Sequence, residues 1–279
     1  MKIILPHTIN EELSLLSEEL KQLKTESILK LIIEGVDDPG ILKCVFLAGG
    51  PGSGKSHMAS VLFGVAKKKD KKNKDKEYVI SFSHSGLKSV NSDTAFEREL
   101  KKYGIDTNEL ANIEKNDPDL WDMITNGKNS IRTRAKDLTR KQQNFYEAGR
   151  LGLIIDGTGK DYNKIKKQKD RAEEMGYDTY MLFVNTSLEV ALERNENRDR
   201  VLPESLVRST WKDVQQNMGK FQGLFGSNSF TIVDNTKYGP PPTKIQKEIN
   251  RFMSEPLKNP IGKKWVNTAR ELKNRNLIK

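Results

Sequence analysis

The sequence is poor in the residues that staple extracellular domains or hold metals. It has one cysteine, Cys44, so no internal disulfide can form, which fits a reducing compartment. Cys44 lies in an apolar run and reads as a small core residue. The histidines His7, His57 and His84 are scattered, and no Cys/His grouping has zinc spacing; His57 reads as a first-turn helix residue without a catalytic role. No apolar run approaches the ~20 residues that span a bilayer. The opening Met1-Lys2-Ile3-Ile4-Leu5-Pro6 is too short for a secretory leader and is interrupted by Pro6. The expectation is a cytoplasmic protein with no membrane partner.

Acidic charge is also in deficit. The net charge is +10, with hydrophobic residues at 35% and charged ones at 31%. Two basic stretches stand out. One is Lys67 to Lys76, relieved only by Asp70 and Asp75. The other is a C-terminal segment with Lys258, Lys263, Lys264, Arg270, Lys273, Arg275 and Lys279. Such runs read either as solvated surface or as attraction for a polyanion.

The apolar residues are gathered into short blocks. Ile41 to Ala48, Leu151 to Asp156, Thr179 to Val184 and Phe230 to Asp234 read as buried strands. Tyr78 to Ser83 and Lys88 to Asn91 are shorter candidates. Helices are expected over Lys55–Ala66, Lys160–Met175 (closed by Gly176), Ser187–Asn197 and Pro203–Phe221, with residues 93–150 mostly helical. Alternating strands and helices imply βαβ units and a parallel sheet. Residues 8–34 read as a helix with Thr8 and Glu11 at capping-box spacing and a stripe of Leu13, Leu16, Leu20 and Leu23. That stripe is read as packing on the domain; as a dimer seam it is too short to set an oligomeric state. The organisation expected is an N-terminal helical extension over 1–40, a main domain over 41–255 with a helical insertion at 104–150, and a loosely held basic tail over 256–279.

Between the first strand and the first helix of that domain lies Gly49-Gly50-Pro51-Gly52-Ser53-Gly54-Lys55-Ser56, a G-x4-G-K-[ST] loop. Glycines let successive backbone N–H groups point inward at a phosphate, and the helix that follows adds its positive end. Gly50, Pro51, Gly52, Ser53 and Gly54 would form the cradle for ATP or GTP. Lys55 would reach the β- and γ-phosphates, and the Ser56 hydroxyl would bind Mg²⁺. A chance match in a chain of this length is about one in a hundred.

Three further clusters bear on chemistry. Val90-Asn91-Ser92-Asp93 places a carboxylate after a short strand, where Asp93 would accept the proton of an attacking hydroxyl or else cap the next helix. Ile154-Ile155-Asp156-Gly157-Thr158 puts Asp156 at a strand's carboxyl end, to bind Mg²⁺, hold the acceptor or cap a helix. Arg194, Arg198 and Arg200 precede Val201-Leu202-Pro203. They read as lid guanidinium groups that neutralise a phosphoryl group in transfer, or as a solvated helix end.

Taken in order, these pieces over residues 41–236 resemble the zeta-toxin and polynucleotide-kinase group of P-loop kinases. The matching segments are Phe46 to Ser56, Val90 to Asp93, Asp156 to Thr158, Phe183 to Arg194 and Arg200 to Pro203. The resemblance implies a P-loop NTPase three-layer α/β sandwich with a mainly parallel sheet. It implies transfer of the γ-phosphate to a hydroxyl, with Asp93 as base, acceptor contacts near Asp156 and Thr158, and lid arginines around Arg194 to Arg200. The acceptor would be a polynucleotide 5′-hydroxyl or the sugar of a UDP-sugar. Family members often carry an acid or a short hydrophobic loop at Asp156-Gly157-Thr158, and residues 67–88 and 104–150 are longer here. Those segments would shape the acceptor pocket. The lysine- and asparagine-rich composition has the style of phage-encoded members. A competing reading is a nucleotide-dependent switch or accessory ATPase, docking a partner or nucleic acid through its leucine stripe and basic tail.

Overall fold

The computed structural model describes residues 35–69, 77–83, 85–197, 201–237 and 239–274. The helix expected over 8–34, most of the lysine-rich stretch, Arg198 and Arg200 lie outside the described residues.

Strand β1 (Lys43–Ala48) is buried at every position, as a strand covered on both faces must be. It is followed by helix α1 (Lys55–Phe63). That helix is shorter than the sequence suggests. Gly64 turns into the left-handed region at φ 65 and donates its N–H to Ser60 O, a helix stop that needs no side chain. Val65 and Ala66, read as helical, instead open β2 (Val65–Lys69), which pairs antiparallel with β3 (Glu77–Ser83).

The remaining strands are β4 (Lys88–Val90), β5 (Leu153–Asp156), β6 (Asp178–Asn185) and β7 (Phe230–Asp234). The sheet order is β2-β3-β4-β5-β1-β6-β7. From β4 to β7 in that order the five strands are parallel, and the β2–β3 pair adds an antiparallel edge. The chain leaves β1 toward the β2 edge, whereas it leaves the neighbouring β5 past β1 to β6, so connections from these adjacent strands run in opposite directions. Such a switch point opens a ligand crevice at the carboxyl ends of the strands.

Side chains on β1 alternate between two apolar layers. Cys44, Phe46 and Ala48 face a layer built by α6 (Tyr162–Glu174), α8 (Glu204–Phe225) and α10 (Pro260–Asn274), with Ile165, Phe221, Phe225, Val266 and Ala269. Val45 and Leu47 face α1 and α9 (Thr243–Ser254), with Met58, Leu62, Ile245 and Ile249. A helix–sheet–helix sandwich results.

Between β4 and β5 the chain forms α2 (Ser92–Lys102), α3 (Leu110–Asn116), α4 (Pro118–Thr125) and α5 (Ile131–Ala148). These share a separate small core of Phe96, Leu100, Leu110, Ile124, Ile131 and Ala135. Helix α7 (Leu188–Glu196) follows β6. Among the described residues no helix is long and apolar enough to cross a membrane.

The C-terminal segment corrects an expectation. Instead of trailing as a loose tail from Pro256, the chain folds into helix α10. Lys258 and Asn259 donate backbone N–H groups to the Asp178 carboxylate at 2.9 Å. The same carboxylate pairs with Lys43 at 3.1 Å. Gly262 lies so close to Gly176 that a Cβ on it would fall 2.1 Å from the Gly176 carbonyl oxygen. Val266 and Ala269 are buried.

Candidate active site

The phosphate loop lies where the switch point requires it, between the end of β1 and the start of α1. Two glycines are forced by close approach. At Gly52 (φ 75) a Cβ would sit 2.4 Å from Ala191 O, and at Gly54 (φ 85) 2.2 Å from Asn235 Nδ2. Only a residue without a side chain fits either place. Asn235, just past β7, is buried and donates from Nδ2 to Ser53 O at 2.8 Å, while its own N–H donates to Asn185 O at 2.8 Å. This amide ties the loop to the β6–β7 end of the sheet. Nothing in the sequence marks Asn235 for that role.

Lys55 Nζ donates to Gly49 O at 2.7 Å and Gly50 O at 3.1 Å, so its ammonium group lies across the mouth of the loop. Ser56 is exposed in the first turn of α1. Ser53 Oγ is buried without a hydrogen-bond partner among the described residues. Trp211 of α8 stands beside Gly50 and donates from Nε1 to Thr186 O at 2.9 Å.

Strand register brings the acids to the loop. Leu47 pairs with Asp156 across β1 and β5, and Val90 pairs with Ile155 across β4 and β5. Asn91 and Asp156 are therefore neighbours, and Asn91 Nδ2 donates to Asp156 Oδ2 at 2.8 Å. Asn91 Oδ1 accepts the Asp93 N–H at 2.8 Å, so Asn91, and not Asp93, caps α2. Asp93 occupies the first turn with its side chain 55% exposed. Nor does Asp156 cap a helix; Asp161 caps α6.

Burial pushes the Asp156 carboxyl above its ordinary range. The Asp93 charge adds to this, while Lys55 and the Asn91 hydrogen bond oppose it. Lys55 and Asp93 are thus both close enough to act on the charge of Asp156. Gly49 N–H donates to Thr158 O at 3.0 Å, which closes the loop after β5 against the start of the phosphate loop. Asn217 of α8 holds the same loop from the other side, donating to Gly159 O at 3.1 Å and Lys160 O at 2.8 Å.

Arg194, in the last turn of α7, reaches the loop with Nη1 3.5 Å from Gly52 O and Nη2 3.5 Å from Thr236 O. One residue on, Asn195 is buried and clasps Leu202 with its amide, donating to Leu202 O at 2.7 Å and accepting Leu202 N–H at 3.1 Å.

The structure thus gathers Lys55, Ser56, Asp93, Asp156, Thr158 and Arg194 at one edge of the sheet. Sequence reasoning missed the amides that position them, Asn91, Asn195, Asn217 and Asn235, and also Arg132, which reaches Asp93 from α5. Ser56 and Asp156 offer the hard oxygen donors that Mg²⁺ takes alongside water and phosphate oxygens. A carboxyl held up by burial is also one that a nearby divalent cation would restore to its ionised form.

No protein-family profile and no curated protein matches the chain. Solved structures do resemble it. A chain of the AvrRxo1-ORF1:AvrRxo1-ORF2 complex with sulphate ions has a TM-score of 0.43 at 13% identity, over 81% of this chain and 64% of that one. The PezAT chromosomal toxin-antitoxin system of Streptococcus pneumoniae gives 0.42 at 13% identity, over 85% and 88%. Shikimate kinase from Acinetobacter baumannii, in complex with shikimate, gives 0.37 at 14%, over 77% and 94%. The chain's own fold is a three-layer α/β sandwich with a five-stranded parallel sheet and a glycine-rich loop between β1 and α1. The chain spans about two thirds (64%) of the length of the AvrRxo1 complex chain. Likenesses this distant leave activity, acceptor and partner undefined.

Proposed function

We propose that the protein is an ATP-dependent kinase that transfers the γ-phosphate to a hydroxyl of a nucleotide-linked acceptor, a polynucleotide 5′-hydroxyl or a UDP-sugar. The observation that carries this reading is the pair of unlike carboxyls beside the phosphate loop. Asp93 is exposed and Asp156 is half-buried, and the charges of Lys55 and Asp93 both act on the Asp156 carboxyl. A site that only binds nucleotide does not need an exposed carboxylate two strands away from the loop.

In the step proposed, the acceptor oxygen attacks the γ-phosphorus as the bond to the bridging β,γ-oxygen breaks. The acceptor's proton passes to the Asp93 carboxylate and ADP departs. Backbone N–H groups of Gly52, Gly54 and Lys55 would hold the β-phosphate. Lys55 leaves the Gly49 and Gly50 carbonyls for the β- and γ-phosphates, and Arg194, with Arg198 or Arg200, balances the charge that spreads over the transferring group. Mg²⁺, held by Ser56 and Asp156, would supply charge neutralisation of the phosphates. Trp211 and the α8 amides give the pocket a fixed wall. GTP would fit the same phosphate contacts.

The test is incubation with labelled ATP and 5′-hydroxyl DNA and RNA, UDP-N-acetylglucosamine, nucleosides and small alcohols. Label should appear on at least one acceptor, and Asp93→Asn should keep ATP binding while losing transfer. Hydrolysis without transfer to any of them would favour the switch reading. Transfer at the normal rate by Asp93→Asn would make that residue structural.

A further inference from the structure

Helix α5 carries an apolar stripe that no other described residue covers. Phe145 is 78% exposed and Leu138 is 45% exposed. They lie about two helical turns apart, and Gly149 follows Phe145 by about one more, so all three share a face. A single exposed apolar side chain is ordinary. Two on one face are another matter when that face leads to the point where a further stretch of chain arrives.

That point is Gly35. A Cβ placed on it would fall 3.2 Å from Gly149 O and 3.0 Å from the Leu151 side chain. Val36, the next residue, is fully buried in the main core. The chain before Gly35 therefore joins the domain at the carboxyl end of α5. Residues 1–34 lie outside the described ones, and their sequence matches the stripe in three ways. Nearest Gly35 is the apolar run Ile28-Leu29-Lys30-Leu31-Ile32-Ile33, preceded by Leu16, Leu20 and Leu23 at helical spacing. Reach agrees as well. A helix running back from Gly35 beside α5 passes Phe145 after about 4 residues and Leu138 after about 11, which brings Leu31 and Leu23 to those levels.

Charge is the third match. Helix α5 has five basic and two acidic side chains. Residues 11–26 have five acidic and two basic. Arg134 and Lys141 are exposed and alternate with Leu138 and Phe145 along the helix. Opposed charges of this kind choose between partners and orientations more than they add affinity.

We propose that residues 11–34 form an amphipathic helix that lies parallel to α5, with its leucine and isoleucine side chains over Phe145 and Leu138 and its glutamates toward the α5 cations. The helical insertion has a small core of its own. The segment braces that insertion against the sheet domain, to which Val36 ties it. The occupant is this chain's own segment, because Gly35 delivers it to the stripe at high effective concentration.

Cross-linking of the full-length chain tests this. Leu23→Cys is combined with Leu138→Cys and treated with a short bismaleimide. Cys44 is fully buried and stays out of the reaction while the protein is folded, and melting curves confirm that the variants are folded. The expected product is a bridge at monomer mass, with peptide mapping joining the two introduced thiols. Leu23→Cys with Lys136→Cys should give no such bridge, since Lys136 is exposed about 200° round the helix from Leu138. A bridged product at twice the mass would assign the stripe to a second copy and overturn the proposal. So would no bridge in the Leu138 pair, or equal bridging in both pairs. Should the cysteine pairs fail to fold, Leu31→Ala, Phe145→Ala and their double variant decide the matter by thermal melting. Side chains in contact give a double loss smaller than the two single losses together. Strictly additive losses, or an unchanged midpoint in Phe145→Ala, would leave the stripe open to solvent and overturn the proposal.

Discussion

Lys55 and Asp156 carry the sharpest expectations at the scale of single residues. Lys55 Nζ is held by the carbonyls of Gly49 and Gly50, so its charge is in place before nucleotide arrives. Lys55→Ala should leave the fold intact and lower turnover by about 10²- to 10⁴-fold through lost stabilisation of the transferring phosphate. Turnover measured under saturating ATP checks this, and an unchanged rate would remove the loop from the active site. Asp156 shows the opposite economy, stability given up for a charge at the site. Burial raises its protonation midpoint above that of the unfolded chain. The folded state therefore holds more protons than the unfolded one as pH rises past the ordinary carboxylate range, about 3.9, toward the raised midpoint. Stability must fall across that window and stay lower above it. Asp156→Asn does not titrate. It should melt higher than wild type at pH 7, and the gap should close as pH drops below about 4. Transfer activity should fall in the same variant, which thermal melts and kinetics run side by side would separate.

At the scale of elements, α10 makes the strongest claim. It seats Val266 and Ala269 in the core layer that contains Phe46 and Phe225, and Gly262 against Gly176. Ending the chain at Glu255 should therefore uncover core and cost on the order of 3 kcal/mol or more. A chain shortened only to Asn274 should melt like the full-length protein. Equal melting of all three would mean that α10 adds no stability. This helix was not legible in the sequence for a physical reason. Its buried stripe is Gly262, Val266 and Ala269, at helical spacing but with small side chains, set among lysines and bounded by Pro256 and Pro260. The parallel strands were legible because burial on both faces demands unbroken apolar runs, as in Val45-Phe46-Leu47. The phosphate loop was legible because close approach at Gly52 and Gly54 leaves no choice of residue. Asp93 and Asp156 could be found because strand ends announce them. Arg132, Asn217 and Asn235 could not, since each reaches the site by tertiary packing, and an amide or guanidinium far along the chain gives no local signal of where it will point.

At the scale of the whole molecule, the seven-stranded sheet has one feature that makes it its own instrument. Cys44 is the chain's single thiol. It lies in the central strand, paired to Leu153 on one side and Thr179 on the other, and is fully buried. Burial also pushes the thiol well above its usual ionisation range, so the reactive thiolate is absent from the closed fold. A colorimetric disulfide reagent can then react only with molecules whose middle strand has opened. In the regime where closing outpaces labelling, the rate measures the equilibrium for that opening. Each molecule yields one event, with no engineered label and no second cysteine to confuse it. Any ligand that binds only the closed form must slow the reaction by the factor 1 + [L]/Kd, about 100-fold at 100 times Kd. A titration of labelling rate against ATP, GTP or a candidate acceptor would thus return an affinity for each without any turnover, and a rate indifferent to ATP would mean that nucleotide does not bind the folded protein. The chain has in effect placed a timer at the middle of its sheet, readable from outside only when the sheet comes apart.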